Sequence, residues 1–67
     1  MMVYFQGENG SICIDRERIV GAAEMRTPTD FPTHVWVDFE PGFVRVRNSY
    51  DDVQRRLIAA RPGASDV

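Results

Sequence analysis

His34-Val35-Trp36-Val37-Asp38-Phe39, Glu40-Pro41-Gly42 and Phe43-Val44-Arg45-Val46-Arg47 read as two strands around a turn. Apolar residues fall at every second position in both runs, the period of a half-buried strand. Asn48-Ser49 then opens a run from Tyr50 to Ala60 in which the apolar spacing changes to three and four. That change of period marks a strand leading into an amphipathic helix. Ser49 is the expected N-cap, with Asp52 as a short capping-box partner. Asp51 and Asp52 suit the positive end of the helix, and each stands four residues before an Arg, Arg55 and Arg56, in the favourable order. Tyr50, Val53, Leu57 and Ala60 line one face, and Ile58 widens it. Arg61-Pro62-Gly63 is a stop signal, so residues 62–67 are expected to form a flexible tail behind a domain of residues 1–61.

A proline at the first turn position fits turn types whose twist suits a two-residue hairpin badly. A four-residue loop, Glu40 to Phe43, is therefore expected. It places Phe39 opposite Val44, Asp38 opposite Arg45, Val37 opposite Val46 and Trp36 opposite Arg47. Val35, Val37, Phe39, Val44 and Val46 then share the core side. His34, Trp36, Asp38, Arg45 and Arg47 share the other. This register predicts a cation–π contact between Trp36 and Arg47 and an ion pair between Asp38 and Arg45.

Upstream, Val3-Tyr4-Phe5 and Ile12-Cys13-Ile14 flank Glu8-Asn9-Gly10. Asn-Gly is the strongest short hairpin signal, because both residues tolerate positive φ. A two-residue Asn9-Gly10 turn pairs Phe5 with Ile14 and Gln6 with Cys13. Val3, Phe5, Ile12 and Ile14 face the core; Tyr4, Gln6 and Cys13 face away. Asp15-Arg16-Glu17-Arg18 is a polar turn into a third strand, Ile19 to Glu24. Ala22-Ala23-Glu24-Met25 also suits a helix, which is the rival reading of that segment. Arg26 to Pro32, with two prolines, is a loop in which Phe31 either anchors to the body or is exposed. Tyr4-Phe5-Gln6-Gly7 resembles part of a protease site used in expression tags, but it fits a strand equally and we read it as native.

Sixty-seven residues make one domain with a small core. One cysteine permits no internal disulfide, and one histidine with one cysteine is too few for a structural zinc site. Without such staples, self-association is expected. Net charge is -2 and every base is Arg, so a global basic field for nucleic acid is absent. No apolar run suits a membrane span, and the N-terminus lacks the pattern of a signal peptide. A free thiol without an export signal points to the cytoplasm.

No catalytic, cofactor-binding or metal-binding constellation emerges. Asp15 and Glu17 read as solvated carboxylates. Cys13 and His34 could act as a nucleophilic pair only if the fold joined them, and no third orienting residue is evident. The sharper feature is the polar face of the second hairpin. His34, Trp36, Asp38, Arg45 and Arg47 are the candidate partner-binding residues, because Trp and Arg are favoured at interface hot spots. A solvated sheet face is the bland alternative. Stacking and phosphate contacts to RNA through Trp36, Arg45 and Arg47 are a further one.

Met2-Val3-Tyr4-Phe5, Asn9-Gly10, Ile12-Cys13-Ile14, Ile19, the valine-rich strand and Val44 to Val53 occur in an order similar to the small FlbD-like flagellar proteins. The resemblance covers most of residues 2–60. It implies a strand-rich fold with a C-terminal helix, a flagellar-associated role and no catalytic residues. Gly10-Ser11-Ile12-Cys13-Ile14 also resembles the start of the carbon-storage translational regulators, small dimers that bind RNA. A small phage or mobile-element inhibitor of a host complex has this size and acidic balance as well.

The sequence thus predicts an α+β domain: a five-stranded antiparallel meander with the C-terminal helix on its apolar face. Its expected function is a non-catalytic adaptor, homo-oligomeric and acting on a protein partner. An RNA-binding regulator is the alternative.

Overall fold

The computed structural model describes residues 1–60. The predicted stop at Arg61-Pro62-Gly63 and the tail at 62–67 lie outside them. Strands β1 (Met2–Gly7) and β2 (Gly10–Asp15) form a hairpin, and a 3-10 turn at Arg16–Arg18 leads into β3 (Ile19–Glu24). Strands β4 (Thr33–Val37) and β5 (Phe43–Val46) follow, then helix α1 (Tyr50–Ala59). The segment from Ile19 is a strand, and the helical alternative is excluded. All five strands pair antiparallel in one sheet, with one C-terminal helix across it, as expected from the sequence.

The strand order is β2-β1-β5-β4-β3, which places β2 and β3 at opposite ends. Yet only Arg16 to Arg18 separate them in the chain. Five flat strands would span about 19 Å at ~4.8 Å per step. Four residue steps reach at most about 14 Å. The sheet is therefore curled, and its two end strands meet at the Asp15–Ile19 corner. Asp15 caps that corner by accepting from the Glu17 amide at 3.1 Å. Arg16 secures it to the helix: Nε donates to the Leu57 carbonyl at 3.1 Å and Nη1 to the Ile19 carbonyl at 3.2 Å.

Inside the curl lie Val3, Phe5, Ile14, Ile19, Val35, Val37 and Val46, closed by Val53, Leu57 and Ala60 of the helix side. Phe5 is 2% exposed, so Tyr4-Phe5-Gln6-Gly7 is part of the fold. Ser49 caps the helix, its Oγ accepting from the Asp52 amide at 3.2 Å. Asp52 does not complete a capping box. Its carboxylate instead accepts from Asn48 Nδ2 at 2.7 Å and from Arg56 Nε at 2.9 Å. Arg55 also reaches Asp52, at 3.9 Å, rather than Asp51.

Both hairpin registers differ from the sequence expectation by an even number of residues, so the faces largely survive while the partners change. In the first, Phe5 pairs with Ile12 and Gly7 with Gly10, leaving Glu8-Asn9 as the turn. Gly10, not Asn9, carries the positive φ (114°), where a residue without Cβ is strain-free. In the second, Trp36 pairs with Phe43, Val35 with Val44 and His34 with Arg45. The loop is longer than expected, Asp38 to Gly42, closed by Val37 N–H to the Gly42 carbonyl (2.9 Å) and Gly42 N–H to the Phe39 carbonyl (2.6 Å). Phe39, expected in the core, therefore lies in the loop and is 38% exposed. Ile58, expected to widen the apolar face of the helix, is 61% exposed, because Val53 and Leu57 already fill the floor of the curl.

Candidate functional site

The face of β4 and β5 turned away from the helix carries three rings. His34 and Phe43 stack with centroids 5.0 Å apart and planes 22° from parallel. Trp36 meets Phe43 edge-on at 5.7 Å and His34 at 6.2 Å. The register builds this cluster: Trp36 is directly opposite Phe43, and His34 is two residues from Trp36 on the same face. On the other flank of β4, Trp36 is opposite Gly21 and His34 opposite Ala23. A Cβ on Gly21 would meet nothing within 4 Å. Trp36 thus stands 41% exposed beside a trough floored by small residues of β3.

Charges ring the aromatic cluster. Arg45 Nε is 3.7 Å from Glu8 Oε2, across from the first hairpin. The Arg47 guanidinium lies over the Phe31 ring, 4.7 Å from its centroid, which anchors the 26–32 loop to the end of β5. Asp38 is beyond the end of β4; Arg18 Nη1 stands 3.6 Å from its carboxylate, and its amide donates to the Arg18 carbonyl.

Of the five sequence-predicted residues, His34, Trp36 and Arg45 come together on this face. Asp38 and Arg47 sit at its margins with other partners. The expected Trp36–Arg47 and Asp38–Arg45 pairs do not form, because the hairpin register is four residues from the one expected. Phe43 was missed. It alternates with Arg45 and Arg47 in the sequence, a signal that identified its face only once it was a strand residue rather than a loop residue.

Cys13 and His34 are not brought together. β2 and β4 are three places apart in the order of the sheet, and His34 lies between Ala23 and Arg45. Cys13 instead stands opposite Tyr4. A hydrogen bond with the Cys13 side chain, and then its charge, raises the Tyr4 phenol above its ordinary pKa. Asp15 and Glu17 belong to the capped 3-10 turn. Among the described residues no cluster of three or more His, Cys, Asp or Glu side chains could hold a metal ion. No helix of the described residues is long and apolar enough to cross a membrane.

β1 ends at Gly7, opposite Val46, so Phe43 to Arg45 have no strand on that side. The gap is a shallow groove of about 300 Å³ between the two hairpins, lined by Ile12, Pro41, Phe43 and Val44. That volume is at the floor of the range for small-molecule sites, and the charged groups that line the groove, Glu8 and Arg45, face each other at 3.7 Å.

Comparison of the chain with protein-family models, with curated proteins and with solved structures returned no match.

Proposed function

We propose that this chain is a non-catalytic binding protein whose aromatic face docks a protein partner. The observation that carries the reading is the His34–Trp36–Phe43 cluster, in which Trp36 is exposed and His34 and Phe43 are half-buried, rimmed by charges of both signs. An aromatic centre with a polar rim is the anatomy of a protein–protein interface. Two features favour protein over RNA. The Glu8 carboxylate beside Arg45 offsets its charge, and Arg47 is stacked over Phe31 at the margin of the face and not within the cluster. The net charge of -2 supplies no attractive field for a polyanion.

Self-association belongs to the same reading, motivated by a small core without staples. The free thiol of Cys13 suits a reducing compartment, and we place the protein in the cytoplasm. Because the order of sequence elements resembles that of FlbD-like proteins, flagellar-associated factors are the first partners to test.

The test is site-specific photocrosslinking in cells with benzoylphenylalanine at position 36 and, as a control, at position 58 on the exposed flank of the helix. A discrete protein adduct from position 36, absent from 58, is the expected result. Crosslinking to RNA from position 36 would replace this reading with the regulator. Equal labelling from both positions would end it.

A further inference from the structure

The open edge of β2 is built to pair with itself. In β1–β2, Gly7 opposite Gly10 starts an alternation continued by Arg16 N–H to the Met1 carbonyl at 2.7 Å. Gly10, Ile12 and Ile14 therefore direct their backbone groups at β1, while Ser11, Cys13 and Asp15 direct theirs outward. Three of the corresponding outward groups of β1 are used within the chain. Gln6 N–H donates to Asn48 Oδ1, its carbonyl accepts from Arg47 N–H, and the Tyr4 carbonyl accepts from Arg56. Of the outward groups of β2, the Asp15 carbonyl serves as N-cap acceptor of the 3-10 turn, whereas among the described residues no such partner meets those of Ser11 and Cys13. The end strand on the other side, β3, is blunted by a bulge between Ile19 and Gly21. β2 has no bulge, no proline and no basic residue.

We propose that a second copy of this chain docks on the β2 edge, strand to antiparallel strand, about a twofold axis at Cys13. This deepens the self-association proposed above and rests on it. The Cys13-centred register pairs the open Ser11–Cys13 edge symmetrically and also gives the Asp15 N–H an acceptor. Cys13 exchanges two backbone hydrogen bonds with the partner's Cys13. The Asp15 N–H donates to the Ser11 carbonyl of the other copy, and the Ser11 N–H shares the Asp15 carbonyl, whose second lone pair the 3-10 turn leaves open. Side chains match as well. Ser11 faces an Asp15 carboxylate, to which its hydroxyl can donate. On the core side Ile12 faces Ile14, and Ile12 is only partly buried in one copy. No like charges oppose each other. Shifting the axis by one residue to Ile12 or Ile14 leaves outward groups unpaired. The pairing fuses two five-stranded sheets into one and removes the open edge.

The experiment combines sedimentation equilibrium across the micromolar range with diamide oxidation. Opposed residues in a hydrogen-bonded antiparallel pair have Cα atoms about 5.5 Å apart, within disulfide reach. The full chain should sediment as a dimer, and diamide should join it covalently through Cys13. Ser11→Pro removes an outward donor together with the exposed Gln6 Nε2 bond to the Ser11 hydroxyl, and Cys13→Lys opposes two ammonium groups at the axis. Each should raise the dimer dissociation constant at least about tenfold, with the monomer's melt retained. If Ser11→Pro fails to fold, Cys13→Lys decides, since Cys13 is exposed. A dimer that ignores the folded variants and forms no Cys13 disulfide overturns the β2 edge but leaves self-association standing. A wild-type monomer throughout overturns both.

Discussion

Asn48 Oδ1 accepts the backbone N–H of Gln6 at 2.8 Å, joining the first strand to the junction between the last strand and the helix, 42 residues away. The same side chain donates to Asp52 at 2.7 Å, and the Asn48 carbonyl accepts from the buried Thr33 hydroxyl at 2.8 Å. Three segments therefore meet at one residue. Asn48→Ala removes two side-chain hydrogen bonds, each contributing about 0.5–1.5 kcal/mol, so a loss of about 1–3 kcal/mol in urea titration is expected. Asn48→Asp keeps the acceptor for Gln6 but opposes Asp52 with a like charge. It should be more damaging than Asn48→Ala at neutral pH and recover on acidification. Equal behaviour of the two variants at all pH values would show that the Asp52 contact contributes nothing.

Asp52 sets an acid limit on stability. The Asn48 hydrogen bond, and then that of Arg56, hold its carboxyl below the usual value of 3.8. A depressed folded-state pKa contributes stability that is present above the unfolded value and lost as pH falls through the folded one. The contribution is thus intact at neutral pH and disappears below about pH 4. Melts of wild type and Asp52→Ala across pH 2–7 should differ at neutral pH and converge at the acid end. A difference that persists unchanged at low pH would assign the effect to lost packing instead of charge.

The helix docks through Leu57, 5% exposed, whose carbonyl also accepts from Arg16. Leu57→Ala should cost about 2–5 kcal/mol, as for other buried leucines. Arg16→Ala should cost about 1.5–3 kcal/mol, the range for a hydrogen bond to a charged donor. The Arg16 change loosens only the helix end and its corner. Native-state hydrogen exchange should therefore quicken at Leu57 to Ala60 before it quickens in β4. Uniform acceleration would mean that the helix and sheet open as one unit.

Much of this architecture is legible in the chain, because alternation and helical spacing depend on which residues are apolar and not on their partners. Val35, Val37, Val46, Val53 and Leu57 are core on that ground alone. Register was not legible to the residue. An even shift of the strand pairing leaves every face unchanged, so the hydrophobic pattern cannot tell Trp36–Phe43 from Trp36–Arg47. The turn residues would have to decide it, and here Asn9-Gly10 and Pro41-Gly42 each place the turn differently from the obvious reading. Asn48 was hidden for a related reason. Its partners Gln6 and Thr33 are remote in sequence and carry no periodic signal. The aromatic cluster needed the register, so Trp36 and His34 could be placed on a face but not next to Phe43.

The aromatic face makes fold and binding separable. Trp36 is 41% exposed and its ring contacts are with His34 and Phe43 on the same surface. Trp36→Ala should lower stability by about 1 kcal/mol, the worth of an exposed aromatic pair, yet remove ~2 kcal/mol or more of partner binding if Trp36 is an interface anchor. Gly21→Val gives the complementary case. Its Cβ meets open space and φ is not positive, so the valine should be tolerated, and a β-branched residue in a strand should stabilise by up to about 1 kcal/mol. It would nonetheless fill the trough beside Trp36. A protein captured by crosslinking from position 36 should therefore be lost in Gly21→Val while the melting temperature rises. Retention of that partner in both folded variants would reduce the cluster to a solvated sheet face. Unfolding of Trp36→Ala would instead make the rings a second core.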